Sequence, residues 1–120
     1  MQYMCIVKAT PQSEAGEMPS LELIEAMGQW IGGLKPGVFV SGGGLQPSAE
    51  GFRVNLSGGK VTVTDGPFTE THELVGGWAI VDLDTREEVV QLAKDFVELH
   101  RKHLGDDYEM QSEVRPIQPD

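Results

Sequence analysis

Between residues 52 and 65 apolar and polar side chains alternate with a single interruption. In "FRVNLSGGKVTVTD", Phe52, Val54, Leu56, Val61 and Val63 fall on one phase. Arg53, Asn55, Thr62 and Thr64 fall on the other, and Gly58-Gly59 separates the two runs. Alternation of this kind is the period of a strand, and a Gly-Gly pair between two such runs is a two-residue hairpin signal. The turn sets Leu56 opposite Val61, Val54 opposite Val63 and Phe52 opposite Asp65. Asp65 therefore arrives on the apolar side of the ribbon, where a hydrophobe is due.

The rest of the chain supplies the elements around this hairpin. Residues 3–7 are apolar on both alternating faces, as in a central strand covered on each side. Residues 10–20, rich in polar groups, Pro and Gly, predict a loop. Ser20 is a good N-cap for a helix in which Ile24, Met27, Ile31 and Leu34 form one apolar stripe. Gly28, Gly32 and Gly33 weaken that helix, which is expected to end before Pro36-Gly37. A short strand at 38–40 and a flexible bend at 41–47 follow. Beyond the hairpin, residues 77–83 predict a strand apolar on both faces, and Asp84-Thr85-Arg86-Glu87 resembles a capping box. Val89, Val90, Ala93, Phe96, Val97 and His100 give the second helix its buried stripe, and Gly105 ends it. Met110, Ser112 and Val114 alternate with Glu109, Glu113 and Arg115 in a last strand.

This order predicts one α+β domain over residues 1–120, a two-layer arrangement of the split βαβ kind. Two helices cover only one face of such a sheet. A second copy of the chain is the simplest cover for the other, so a homodimer through the sheet face is expected.

Charge narrows the partners. Nine basic and nineteen acidic residues give a formal charge of −10 across 120 residues. Nucleic-acid affinity rests on Lys and Arg neutralising phosphates, and anionic membranes select for the same residues, so both partners are disfavoured. A small neutral or cationic ligand is easier to accept. Cys5 is the only cysteine, which excludes an intramolecular disulfide and a cysteine metal cluster. The opening residues carry no basic leader, and no stretch approaches the roughly 18 apolar residues of a membrane span. A cytoplasmic protein is the expectation.

The chemistry concentrates in "TDGPFTETHELVGG", residues 64–77. Asp65 has a plain reading as a turn-former that accepts backbone N–H bonds two residues on, with Phe68 filling the core. Its chemical reading is a carboxyl desolvated beside Phe52 and Phe68, with raised proton affinity and an acid or base role. Backbone donors at Asp65 would instead keep it ionised. His72 is the side chain here whose ordinary titration lies near neutrality, and Glu70, two residues away, shares its face on an extended segment. A nearby carboxylate would fix the tautomer of such a base. Glu73 is a second acid beside it, while His100 and His103 read as capping charges at the end of the second helix. Arg53, next to Thr62 and Thr64, is a candidate anchor for an anionic group. "SGGGL" lacks the phosphate-loop pattern, Ser41, Ser57 and Ser112 sit in no nucleophile elbow, and no metal set or cofactor motif is apparent.

The run Asp65-Gly66-Pro67-Phe68-x-Glu70-x-His72-Glu73, followed by Gly76-Gly77-Trp78, closely resembles the signature of the DGPF-domain, YCII-related family. Tyr3-Met4, Arg53 and Glu113-Val114-Arg115-Pro116 extend the resemblance over nearly the whole chain. It implies a ferredoxin-like fold that dimerises through its sheets, the dimeric α/β-barrel arrangement. The family has no established activity. Related proteins have been suggested to be enzymes because acids and histidine line a cleft, and some members are linked to extracytoplasmic-function sigma factors. The family usually carries lysine where this chain has His72, which favours acid/base work or ligand binding over imine chemistry. Two functions are thus expected in competition. One is a cofactor-free acid/base enzyme for a small organic molecule, with Asp65, His72 and Glu70 at its centre and Arg53, Phe52, Phe68 and Glu73 around the substrate. The other is a non-catalytic ligand-binding or regulatory module.

Overall fold

The computed structural model describes residues 1–69 and 73–119. Strand β1 spans Gln2–Lys8, a short helix α1 Pro11–Glu14, helix α2 Leu21–Gly32 and strand β2 Phe39–Gly44. The hairpin is β3, Phe52–Ser57, and β4, Lys60–Asp65. Strand β5, Val75–Asp82, helix α3, Arg86–Leu104, and strand β6, Ser112–Pro116, complete the chain. β2, β5, β1 and β6 form one sheet in that order, with every neighbouring pair antiparallel. This is the ferredoxin-like order, with the β3–β4 ribbon inserted as a separate two-stranded sheet.

The helices lie on one face of the sheet because the odd-numbered residues of β1 point there. Tyr3 and Cys5 are buried with Val81 of β5 and Val89 of α3, and Ala79, Leu83, Leu92 and Val114 pack against them. Burial pushes the Cys5 thiol above its ordinary value, so it stays protonated and unreactive. The opposite face carries the even phase: Met4 pairs with Ile80 and Ile6 with Trp78, and all four are half-buried in the single chain. A charged row borders this apolar patch, in which Glu113 meets Lys8 at 3.3 Å and Arg115 at 3.6 Å.

Helix ends follow side-chain chemistry. Ser20 caps α2 by accepting the Leu23 N–H at 3.1 Å. α3 starts one residue later than Asp84 would give, because Thr85 is the residue that accepts the Glu88 N–H, at 3.2 Å. Glu87 and Glu88 occupy its first turn and Arg101, Lys102 and His103 its last, complementing the helix dipole. Gly105 closes it with φ of 95°, a conformation that favours glycine.

Three expectations are corrected. Residues 10–20 are not all loop: Thr10 and Ser13 cap each other reciprocally and Pro11 opens the helix, so α1 forms. The bend at 41–47 is instead mostly strand, because Ser41 to Gly44 pair with Gly77 to Ile80 of β5. On α2 the buried residue is Leu23, while Ile24 is 41% exposed.

The hairpin adopts the predicted register, with Phe52 opposite Asp65, Val54 opposite Val63 and Leu56 opposite Val61. Gly58 and Gly59 take φ of 58° and 76°, the primed turn that matches strand twist. Every residue of both strands is exposed, including Leu56 at 76% and Val61 at 70%. The projecting ribbon also accounts for a radius of gyration of 16.1 Å, against about 14 Å for a compact chain of this length.

Candidate functional site

The ribbon's return strand ends at Asp65, and the chain turns sharply through Gly66-Pro67, which is joined by a cis peptide bond. The Gly66 N–H donates to the Gly51 carbonyl at 3.0 Å. Pro67 has no N–H to give, and the Phe68 N–H donates to Ser48 Oγ at 3.0 Å. Ser48 opens a short 3-10 turn, Ser48–Glu50, and is itself held by Glu14 of α1. Its N–H donates to Glu14 Oε2 at 2.9 Å and its hydroxyl to Glu14 Oε1 at 2.5 Å. Bonds to a carboxylate are about twice as strong as neutral ones, so this clamp is a firm seat for the turn. The seating is close: a Cβ on Gly66 would overlap the Ser48 carbonyl oxygen.

This geometry decides what Asp65 is not. A turn-forming aspartate accepts N–H bonds from the following residues. Here the Gly66 and Phe68 amides are committed to Gly51 and Ser48, and Pro67 offers none. No donor among the described residues bonds the Asp65 carboxylate, which is exposed beside a Phe52 that is 65% exposed. The desolvation expected around Asp65 is therefore not supplied by the single chain, because the apolar face of the ribbon has no cover there.

Arg53 lies on the other face of the ribbon, opposite Thr64 in register, where Asn55 Nδ2 donates to Thr64 Oγ1 at 3.0 Å. Its guanidinium sits over the Phe68 ring, 3.8 Å from the centroid, a cation–π contact. Phe68 is half-buried and belongs with Arg53, whereas Phe52 shares its face with Asp65. The two aromatic rings therefore go with different faces of the ribbon and do not wall one cleft in the single chain.

Glu70 and His72 lie outside the described residues. The chain resumes at Glu73, which is exposed, and at Leu74, which is buried and accepts the Ala9 N–H on its carbonyl at 2.8 Å. The flanking described residues are thus Phe68 at the Ser48 seat and Leu74 beside Ala9, just past the end of β1. Among the described residues, no three His, Cys, Asp or Glu side chains converge to hold a metal ion.

The two distal histidines part company. His103 is exposed near the helix end, with Nδ1 at 3.0 Å from the Leu99 carbonyl. His100 is instead buried, stacked on Phe96 at 4.5 Å between centroids, with Nδ1 at 2.9 Å from the Phe96 carbonyl. It is a core residue, since its helical phase turns it towards the sheet. Sequence reasoning also missed Glu14 and Ser48. They are 34 positions apart, and nothing local in either stretch announces the clamp.

The described chain contains no helix long and apolar enough to cross a membrane. Curated proteins yield no match to the chain. The family model of the YCII-related domain matches residues 1–99, from β1 through most of α3 and including the whole Asp65–Trp78 motif, while β6 lies beyond the match. With most of its length matched and the ferredoxin-like order in place, the chain belongs to the YCII-related family.

Proposed function

We propose that this YCII-related protein is a homodimeric, cofactor-free acid/base enzyme for a small neutral or cationic organic molecule, with Asp65 and His72 exchanging the proton. One observation carries the reading. The turn after β4 is held by Ser48, Glu14 and Gly51, which leaves the Asp65 carboxylate without structural employment among the described residues. A carboxylate presented by a braced turn is preorganised for a ligand or a proton. His72, carried by the segment that leaves this seat, is the complementary group. Glu70 orients it, with Phe52 beside Asp65 on one face of the ribbon, Arg53 and Phe68 on the other, and Glu73 at the margin.

The dimer is part of the same reading. The patch of Met4, Ile6, Trp78 and Ile80 is only half-buried by the described residues. A second copy across that face would bury it, and interfaces of this kind often exceed about 2,000 Å².

Proton exchange tests the activity. A panel of small hydroxy and carbonyl compounds is incubated with the protein in D2O, and solvent deuterium uptake at carbon is followed by NMR. Wild type is expected to exchange at least one compound, and Asp65→Asn and His72→Gln are expected to lose the exchange by at least about 100-fold. Binding with no exchange, undiminished in Asp65→Asn, would instead make the protein a ligand-binding module.

A further inference from the structure

A cavity of about 480 Å³ lies between α2 and the sheet, and none of residues 45–75, the Asp65 turn among them, lines it. Its cause is visible in the register. Gly42 and Gly44 of β2 pair with Ala79 and Gly77 of β5, so the floor facing the helices is nearly bare backbone. Above it, α2 buries only Leu23, and Met27, Ile31 and Leu34 line the space without filling it. Close-packed interiors rarely leave a void of this size, whereas small-molecule sites run from about 300 to 1,000 Å³ and are mostly apolar with a few polar groups.

The polar group here is His100. The Phe96 carbonyl can only accept, so the Nδ1 at 2.9 Å from it carries the proton and donates. With the proton on Nδ1, Nε2 of the uncharged form is the acceptor. It makes no hydrogen bond to the described residues, yet no buried side-chain nitrogen or oxygen among them is sealed without a partner. Nε2 therefore opens onto free space, and the space His100 lines is this cavity. The adjoining wall is aromatic: Phe96 stacks on His100 at 4.5 Å and meets Trp30 at 5.8 Å, and Phe39 closes the β2 side.

We infer that this cavity is a binding site for a small aromatic molecule bearing one hydroxyl group, its ring held among Phe96, Trp30 and Phe39 and its O–H donated to His100 Nε2. The site is separate from the Asp65 turn and does not depend on the activity proposed there.

Isothermal titration with 2-naphthol and with naphthalene tests it, since the two probes differ only in the hydroxyl. Wild type is expected to bind both, with 2-naphthol favoured roughly tenfold, the worth of one net hydrogen bond. His100→Phe keeps a ring and removes the nitrogen. It is expected to weaken 2-naphthol to the level of naphthalene and leave naphthalene unchanged. Gly44→Leu fills the cavity from a position whose Cβ would have no atom within 4 Å, and it is expected to abolish binding of both probes with the fold intact by circular dichroism. Asp65→Asn is expected to change neither affinity. Failure of wild type to bind either probe, or equal binding by Gly44→Leu, would overturn the site. Loss of both probes together in His100→Phe would overturn the hydroxyl assignment.

Discussion

The Phe68 amide donates to the Ser48 hydroxyl at 3.0 Å, and this one bond ties the strand-end turn to a segment twenty positions earlier. The hydroxyl proton goes on to Glu14, so the turn, the 3-10 segment and α1 form one hydrogen-bonded chain. The position of Asp65 is inherited from that chain and not from any bond of its own to the described residues.

Removing the hydroxyl should release the turn. Ser48→Ala leaves the Phe68 N–H and one Glu14 oxygen without their partners in a half-buried setting, at a cost of about 1–2 kcal/mol. Urea unfolding should register the loss, and amide exchange at Phe68 should accelerate selectively. Unchanged Phe68 exchange would mean that the bond does not hold the turn.

Gly66 is constrained by proximity. Its φ does not lie in the left-handed region, so backbone conformation alone would tolerate alanine. The Ser48 carbonyl would not, and since that oxygen belongs to the backbone, the 3-10 turn must shift to admit a methyl group. Gly66→Ala is expected to destabilise by about 1–3 kcal/mol, the usual cost of overpacking. A change below about 0.5 kcal/mol in the same unfolding experiment would contradict the close seating.

The proposed dimer rests on the sheet face that is only half-buried by the described residues. Sedimentation at micromolar concentration should give a species of twice 13.1 kDa. Ile80→Lys would place an unpaired ammonium group at the centre of the proposed interface, opposite Met4 of its own sheet. The penalty, about 3–5 kcal/mol, should shift the protein to monomer at the same concentration. A dimer unaffected by this substitution would place the interface elsewhere.

The contrast between what the sequence disclosed and what it hid follows the range of each interaction. The hairpin register was legible because a two-residue Gly-Gly turn and a period of two determine every pair from Phe52–Asp65 to Leu56–Val61 with no reference to the rest of the chain. The same alternation puts Asp65 on the apolar side, opposite Phe52. It did not disclose that this side is exposed, because coverage is set by what packs there and not by alternation. Strand β2 was hidden for a similar reason. Ser41-Gly42-Gly43-Gly44 has little strand propensity, and its extended form comes from pairing with β5, more than thirty positions away. His100 had two local signals in conflict, a buried helical phase and a place near a helix C-terminus, and packing on Phe96 resolved them.

The central claim is that Asp65 and His72 act as one unit. If ionised Asp65 lies against His72, it stabilises the imidazolium and raises the His72 pKa, and Asp65→Asn removes that stabilisation. An NMR titration of the His72 ring in wild type and in Asp65→Asn measures this directly. The account predicts that the His72 pKa falls by about one unit in the variant, with the protonated form lost at correspondingly lower pH. A His72 pKa that stays within about 0.3 units of wild type would show the two groups to be uncoupled and would contradict the proposed proton exchange between them.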